Sequence, residues 1–356
     1  MDSLMSLARI ELRKQWSRAT RVTALLVVVG LSVTATLHFG HNPSGAGTSA
    51  SINAFEIHDA AVPVASEYRY ERLARPARTV VRDEAGAVVA TFTDGARTVV
   101  LTGHSRTFQE PRTTRATVTS NAWVRLIPHE WREGEEATAW FRPWLDSALS
   151  DRSPDVLGVT MEYLDGAPSG TNEKNVRFRG DASSGPSEAD DRTASAAADF
   201  YEYLGLRWTF PDGVHRKPAE GTYGAVDCSG FLRLVYGYRL GYPLLGSNTR
   251  GTGLPRSAHA MYELGSGVPI IPDGGGRAQA YNLLQPGDLV FFDLDQEGGR
   301  QIDFAGIYLG MDSGHHHRFI SSRSAADGPT FGDFGGASLL DGGGRFSKGF
   351  RAAKRI

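Results

Sequence analysis

The chain has one cysteine, Cys228, which stands in the sequence AVDCSGF at residues 225–231. A cysteine thiolate attacks carbonyl carbon atoms, whereas a buried thiol is a small, inert, apolar side chain. The run CSGFLRLVYGYRLG begins at Cys228 and places Phe231 and Val235 on one face, which predicts a helix. Because the first turn of a helix presents unpaired backbone N–H groups, we expect Cys228 to favour the thiolate.

Three residues close to Cys228 have predicted roles. Asp227 immediately precedes the helix, where a carboxylate is a favourable cap, and we predict that it caps this helix. Gly230 lies in the first turn and allows another backbone segment to approach it. Tyr223 stands before the cysteine and could donate a hydrogen bond to the thiol or to a substrate.

Three apolar segments downstream of the helix are predicted to be strands. They are LLQPGDLVFFD at 283–293, IDFAGIYLG at 302–310 and HRFISS at 317–322. The Pro-Gly pair in the first segment marks a turn that leads into its strand. Short turns separate the second and third segments, so we predict a helix followed by antiparallel strands.

The order D-C-S-G-F, L-x-P-G-D-L-V-F-F and G-I-Y-L-G resembles the NlpC/P60 family of cell-wall cysteine peptidases over residues 193–356. The resemblance implies an α+β, papain-like domain in which the cysteine-bearing helix packs on an antiparallel sheet. It also implies cleavage of peptidoglycan stem peptides, often at the bond from D-glutamate to a diamino acid.

The resemblance assigns family roles to individual residues. Cys228 matches the nucleophile, while the usual histidine base corresponds to Phe304 and the residue that orients that base corresponds to Ser321. A tyrosine that the family has upstream corresponds to Trp208. The candidate substrate-binding residues are therefore Trp208, Tyr223, Asp227 and Ser229.

A replacement base has to come within about 3 Å of the thiol, or reach it through one water molecule. We predict a hairpin of residues 303–310 and 315–322 in which Phe304 lies opposite Ser321 and Tyr308 lies opposite His317. This register puts His317 roughly 13 Å from Ser321, at about 3.3 Å per residue. His259, in LPRSAHAMYELG, is the remaining candidate for a base.

Two functions are consistent with these residues. The first is a cysteine endopeptidase that cuts peptidoglycan stem peptides, with His259 or another group as the base. The second is a catalytically degenerate NlpC/P60-like module that binds cell-wall peptides or a partner hydrolase without cutting. The loss of the imidazole matters because removing one member of a catalytic triad costs several orders of magnitude in rate.

The N-terminal residues indicate that the chain is targeted to the membrane. Residues 1–21 form a basic leader, and residues 22–39 carry no charge and have about the minimum length of a membrane-spanning helix. The segment is either an uncleaved anchor or a signal peptide, with the N-terminus inside. Both alternatives place the rest of the chain in the cell envelope, outside the cytoplasm.

The remaining organisation follows composition and periodicity. We predict a linker at 40–75, a β-rich domain at 76–180, a second linker at 181–192 and the NlpC/P60-like domain at 193–356. Within the β-rich domain we expect turns at 84–86 and 94–95, a helix at 142–149 and a strand at 156–163. A helical pattern also runs from Thr193 to Leu204.

The amino-acid composition limits the kinds of partner that we expect the protein to have. The net charge of −2 over 356 residues gives no reason to expect a nucleic-acid partner. A single cysteine excludes a disulfide within the chain. The predicted partners are therefore peptidoglycan peptides and, through the N-terminal segment, the membrane, with no cofactor and no metal.

Overall fold

The computed structural model of the chain describes residues 67–185, 198–295 and 301–356. Residues Ala65–Ile356 form one compact unit, while the unit Met1–Val64 lies outside the described residues. The predicted leader and the predicted membrane or signal segment at 22–39 therefore lie outside the described residues. None of the helices in the described ranges has the length and apolar character needed to cross a membrane.

The described chain starts with an antiparallel sheet of five strands, arranged in chain order. The strands are β1 Arg69–Ala74, β2 Ala77–Arg82, β3 Val88–Thr93, β4 Thr98–Gln109 and β5 Thr117–Leu126. The predicted turns connect β2 to β3 and β3 to β4, where Gly86 and Gly95 have φ angles of 83° and 81°. These left-handed conformations favour glycine.

Helices and a small hairpin follow this sheet. They are a 3-10 turn at Glu135–Ala137, α1 Phe141–Ser150, α2 Val156–Met161, β6 Gly170–Thr171 and β7 Arg177–Arg179. Helix α1 confirms the helix predicted at 142–149. Its Phe141 packs edge-on against Phe92 of β3, with ring centroids 5.3 Å apart, and contacts the fully buried Trp131.

The strand predicted at 156–163 is wrong, because Val156–Met161 is the helix α2. The fully buried Asp155 caps this helix by accepting a hydrogen bond from the backbone of Gly158 at 2.9 Å. The same carboxylate accepts from the backbone of Val124 at 2.6 Å, which ties α2 to β5. A short apolar run does not distinguish a buried strand from a buried helix. Here the cap at Asp155 stabilises the helix.

The second part of the chain is built around an antiparallel sheet of six strands in the order β10-β15-β11-β12-β13-β14. Its elements are α3 Phe200–Leu204, β8 Trp208–Thr209, β9 His215–Arg216, α4 Cys228–Leu232, a π-helical turn Arg233–Arg239, α5 Ala258–Glu263, β10 Val268–Ile271, a 3-10 turn Tyr281–Leu283, β11 Leu289–Phe292, β12 Phe304–Met311, β13 His317–Arg323, a 3-10 turn Ser324–Ala326, β14 Gly328–Thr330, α6 Arg345–Gly349 and β15 Phe350–Arg355.

The predicted helix at Cys228 and the three predicted strands after it are present as α4, β11, β12 and β13. Helix α4 packs on β12 and β13, so the chain is an α+β protein in which the cysteine helix lies on an antiparallel sheet. The described part of the helical pattern from Thr193 is α3, and residues 193–197 lie outside the described residues. The domain boundaries stay a prediction.

Strand β12 separates two apolar clusters. Ala305, Ile307 and Leu309 belong to the cluster that includes α4. Phe304 and Tyr308, which alternate with them along the strand, belong to the cluster on the opposite face of the sheet. Successive side chains of a strand point to opposite faces, so this division follows directly from the sequence.

The predicted pairing of the hairpin is wrong by two residues at Tyr308 and by three residues at His317. Tyr308 pairs with Phe319, and His317 pairs with Met311. The strands are joined through a tight loop, in which Asp312 accepts hydrogen bonds from the backbone of the residues at 314 and 316. An irregularity between Tyr308 and Gly310 adds one residue to β12, and such a bulge shifts every pair beyond it.

Candidate active site around Cys228

Cys228 is the first residue of α4 and is partly exposed. Burial raises the pKa of its thiol to about 12, and the negative charge of Asp227 adds to this shift. Backbone hydrogen bonds from Ala305 and Ser229, together with the charge of Arg256, act in the opposite direction. The direction of this shift is opposite to the one that we predicted from the helix N-terminus, since a raised pKa favours the protonated thiol. The role of Cys228 as a nucleophile stays a prediction.

Asp227 explains why the helix N-terminus does not activate the thiol. Its side chain caps α4, as predicted, by accepting a hydrogen bond from the backbone of Gly230 at 2.7 Å. It also forms an ion pair with Arg256, with 2.6 Å between Nη2 and Oδ2. The carboxylate thus takes up the free backbone N–H of the first turn and adds a negative charge beside the thiol.

Two further contacts fix this turn. A side chain at Gly230 would collide with the carbonyl oxygen of Ala198, so the close approach predicted for this glycine is present. The hydroxyl of Ser229 donates to Asp227 at 3.0 Å and accepts from Arg256 at 2.7 Å. Ser229 is buried, and its hydroxyl is used within the protein.

Phe304 is the first residue of β12, and its ring packs away from the thiol side of the strand. Its centroid lies 5.4 Å from that of Phe346 and 5.9 Å from that of Phe292. The neighbouring residue Ala305 is the one whose backbone meets the thiol of Cys228. The position that the resemblance assigns to the base therefore holds an apolar ring on the opposite face of the sheet.

Ser321 does not lie opposite Phe304 as predicted. Its hydroxyl donates to the carbonyl oxygen of Ala305 at 2.5 Å, inside the sheet. The next residue, Ser322, points to the other face and donates to the carbonyl oxygen of Val226 at 2.6 Å. Ser322 thus holds the segment that leads into Cys228, a role that the sequence analysis missed although strand alternation indicates the face.

His259 lies in the first turn of α5, a helix that packs on β12. Its Nδ1 atom is buried and has no hydrogen-bond partner in the described part of the chain. The groups that act on the pKa of the Cys228 thiol are Asp227, Arg256 and the backbone of Ala305 and Ser229, so His259 is not among them. The assignment of His259 as a base stays a prediction.

The two remaining candidates have different surroundings. The ring of Trp208 packs against Phe200 and Tyr238, with centroid distances of 5.0 and 5.9 Å. Tyr223 is 60% exposed and lies over Gly205, where a Cβ would come within 2.6 Å of its ring. Tyr223 is thus an exposed aromatic side chain on the segment that precedes the cysteine, and Trp208 belongs to an aromatic cluster.

Arg256 is a further residue of the candidate site that the sequence analysis missed, since it contacts both Asp227 and Ser229. It joins Asp227 to a cavity that is lined by Asp199, Tyr201, Phe210, Arg216, Gly246, Ser247, Asn248 and Arg256. Only His259 was considered in the segment LPRSAH, because the partner of a single arginine cannot be read from spacing. Across 67–185, 198–295 and 301–356, no group of His, Cys, Asp and Glu side chains is arranged to hold a metal ion.

Comparison with known proteins supports the resemblance. Residues 213–328 match the NlpC/P60 family model, so the chain carries an NlpC/P60 domain that includes Cys228, Phe304 and Ser321. A solved structure described as similar to a lipoprotein of the NLP/P60 family, from Staphylococcus aureus subsp. aureus Mu50, has 17% identity and a TM-score of 0.26. That match covers 65% of this chain and 50% of the other, so the chain spans half of that structure's length. No curated protein is significantly similar to the chain.

Proposed function

We propose that the NlpC/P60 domain binds peptidoglycan stem peptides outside the cytoplasm and does not hydrolyse them at a useful rate. The observation that carries the proposal is that Phe304 stands at the family position of the base and packs its ring on the face of the sheet away from the thiol. The raised pKa of the Cys228 thiol supports it. The family match supports the cell-wall peptide as the ligand. The predicted N-terminal segment would either anchor the domain at the membrane surface or, as a signal peptide, export it.

The chemistry of peptide cleavage supports the absence of efficient turnover. A cysteine peptidase needs a thiolate for attack and a protonated base that gives its proton to the leaving amine. Burial and Asp227 hold the thiol of Cys228 in its protonated form. Phe304 carries no proton to donate, and Ser321 is engaged with a backbone carbonyl.

Purified sacculi test both parts of this proposal. We expect the full-length protein to sediment with sacculi, and we expect no release of soluble peptides above that of the Cys228→Ala variant. An active peptidoglycan hydrolase serves as the positive control. Release of peptides by the unmodified protein, lost in Cys228→Ala, would overturn the non-catalytic part, and failure to sediment would overturn the binding part.

A second candidate function is slow hydrolysis with His259 as the base. The unpartnered, buried Nδ1 of His259 supports it, since a buried ring nitrogen without a partner is uncommon. Under this alternative His259→Ala abolishes the peptide release that Cys228→Ala also abolishes. His316→Ala, at a half-exposed histidine of the β12–β13 loop, is the matched control and leaves the release unchanged.

A further inference from the structure

An open groove of about 440 Å³ lies along the short hairpin of β8 and β9, and we call it the β8–β9 groove. Its lining residues come from two segments, 207–209 and 215–217, and none of them belongs to the turn that holds Cys228. The first segment also precedes residues 213–328, which match the family model. The lining consists of Arg207, Trp208, Thr209, His215, Arg216 and Lys217.

The lining of the groove is positively charged. It contains two guanidinium groups and one ammonium group, and no carboxylate among the described residues lines it. Arg207 and Lys217 form no ion pair with any residue of 67–185, 198–295 or 301–356. Arg216 donates through Nη2 to the carbonyl oxygen of Gly246 at 3.2 Å, a contact that leaves its charge uncompensated.

The carboxylates of the same chain segment do not cancel this charge. Asp212, in the turn between the two strands, accepts a hydrogen bond from the backbone of Gly246 at 2.8 Å. Glu220 is exposed and follows β9. Even when both are counted, residues 207–220 contain three Arg and Lys side chains and two carboxylates, so the segment keeps a net positive charge.

The carboxylates behind Arg216 have partners of their own. Asp199 lies in the wall of the smaller cavity that Arg216 also lines, and it is paired with Arg233 and Arg256. Burial raises the pKa of Glu202, which accepts from the backbone of Asp199, to about 7. Neither carboxylate lines the β8–β9 groove.

The pairing of the hairpin places the two unpaired cations at the same end. Trp208 of β8 pairs with Arg216 of β9. Arg207 precedes Trp208 and Lys217 follows Arg216, so the two cations flank this pair on the same side. Like charges that face each other across two strands are destabilising, and an anion bound between them removes this repulsion.

The aromatic ring in the lining is already packed within the protein. Trp208 contacts Phe200 and Tyr238, with centroid distances of 5.0 and 5.9 Å. Proteins that bind single-stranded nucleic acid stack the bases on available aromatic rings, and proteins that lie in a membrane surface insert apolar side chains. The groove offers cations in a concave surface instead, which suits the backbone of a polyanion.

We propose that the β8–β9 groove binds an anionic polymer whose units are joined by phosphodiester groups. Guanidinium groups bind phosphate oxygens through two parallel hydrogen bonds, and the lysine ammonium binds them as a point charge. Successive phosphates of one chain contact Arg207, Lys217 and Arg216. This ligand differs from the stem peptide of the proposed function, and the inference does not depend on peptide binding.

Calorimetric titration of the full-length protein tests the inference. The probes are a synthetic oligomer of glycerol phosphate, glycerol phosphate itself and a single-stranded DNA of the same charge as the oligomer. We expect the oligomer to bind at least about tenfold more tightly per phosphate than the monomer, because its phosphates engage several cations at once. The DNA is expected to bind no more tightly than the oligomer.

The matched variants remove two positive charges each. Arg207→Gln with Lys217→Gln removes both unpaired cations of the groove, and Arg115→Gln with Lys174→Gln removes two exposed cations outside its lining. We expect the groove variant to bind the oligomer about tenfold more weakly. Its plot of log affinity against log salt concentration should become shallower by roughly 0.7–0.9 for each cation removed. The control variant keeps both values.

Vesicles of phosphatidylglycerol distinguish the polymer from a membrane surface that carries the same phosphate group. We expect the unmodified protein and the groove variant to bind these vesicles equally. A loss of vesicle binding in the groove variant would assign the groove to a membrane surface and overturn the inference. Tighter binding of the DNA than of the oligomer would overturn it in favour of a nucleic acid.

Three further results would overturn the inference: no binding of the oligomer, equal binding of oligomer and monomer per phosphate, and equal effects of the two double variants. Sedimentation with sacculi separates the inference from the proposed function. Hydrofluoric acid removes phosphodiester polymers from sacculi and leaves their peptides. A protein that sediments with treated sacculi but does not bind the oligomer keeps its proposed function and loses only the polymer site.

Discussion

The two faces of strand β12 differ in what they require of the chain. On one face, Ala305 brings its backbone to the thiol of Cys228, and the strand packs on α4. On the other face, Phe304 joins a cluster of aromatic rings. On this thiol face the strand holds the cysteine helix through backbone and apolar side chains, and Phe304 takes no part in that contact. The packing that positions Cys228 and the aromatic ring at the family position of the base thus lie on opposite faces of one strand.

The largest expected effect concerns the reactivity of the thiol face. Only the thiolate is nucleophilic, and a pKa of about 12 leaves very little of it at neutral pH. We expect iodoacetamide to alkylate Cys228 about a thousandfold more slowly at pH 7 than an exposed thiol of ordinary pKa. Because the pKa is raised, the rate should climb about tenfold per pH unit between pH 8 and about 10.

Mass spectrometry of the folded protein measures this rate, and the denatured protein is the reference. A plateau of the rate near pH 7 would show a low thiol pKa. That result would return Cys228 to the group of activated nucleophiles and remove the main support for a non-catalytic domain.

The second prediction addresses the aromatic face. Phe292 is fully buried, and its ring contacts those of Phe304, Phe319 and Phe346. We expect Phe292→Ala to lower the free energy of unfolding by about 3–5 kcal/mol, as for other large core truncations. Urea unfolding measures this change. Phe334→Ala, at a ring that is 63% exposed, is the control and should change it by less than about 0.5 kcal/mol.

Equal losses in the two variants would mean that the aromatic face does not stabilise the domain. Packing in the aromatic cluster would then not explain why a phenylalanine stands at the base position. The two faces of β12 would no longer differ in what they contribute to stability.

Three strands of the second sheet could be predicted from the sequence, because apolar runs indicate β11, β12 and β13 and a Pro-Gly turn precedes β11. The pairing of β12 with β13 could not be predicted. The loop after Met311 is held by hydrogen bonds to Asp312, and neither this loop nor the bulge between Tyr308 and Gly310 can be recognised from the periodicity of the sequence. The error mattered, because it placed Phe304 directly opposite Ser321.

Around Cys228, the contacts could be predicted only in part from the sequence. The cap at Asp227 was predicted, but its consequence for Cys228 was not, because a cap both consumes the free backbone N–H groups and adds a charge. The partner of Arg256 comes from a segment 29 residues away in the chain. Local patterns therefore predicted the helix that begins at Cys228, while the electrostatics of its first turn needed the three-dimensional structure.

The third prediction changes the charge beside the thiol and leaves the cap in place. Asparagine is as good a cap as aspartate, so Asp227→Asn retains the hydrogen bond to Gly230. Removing the negative charge lowers the pKa of Cys228, since that charge raises it. We expect alkylation at pH 8 to become up to about tenfold faster. Glu220→Gln, at an exposed loop residue, removes the same charge elsewhere and should leave the rate unchanged.

An unchanged rate in Asp227→Asn would mean that burial alone sets the pKa of the thiol. The charge of Asp227 would then not be the reason why the helix N-terminus leaves Cys228 unactivated.

The smallest expected effect separates two adjacent hydroxyls of β13. Ser322 donates to the carbonyl of Val226 on the thiol face, whereas Ser321 donates to the carbonyl of Ala305 within the sheet. Each truncation to alanine should cost about 1 kcal/mol, the usual net value of one hydrogen bond. Only Ser322→Ala loosens the segment before Cys228, so only it should speed amide hydrogen exchange at Asp227. The same increase in Ser321→Ala would show that the two faces of the strand are mechanically coupled and that the turn around Cys228 depends on both.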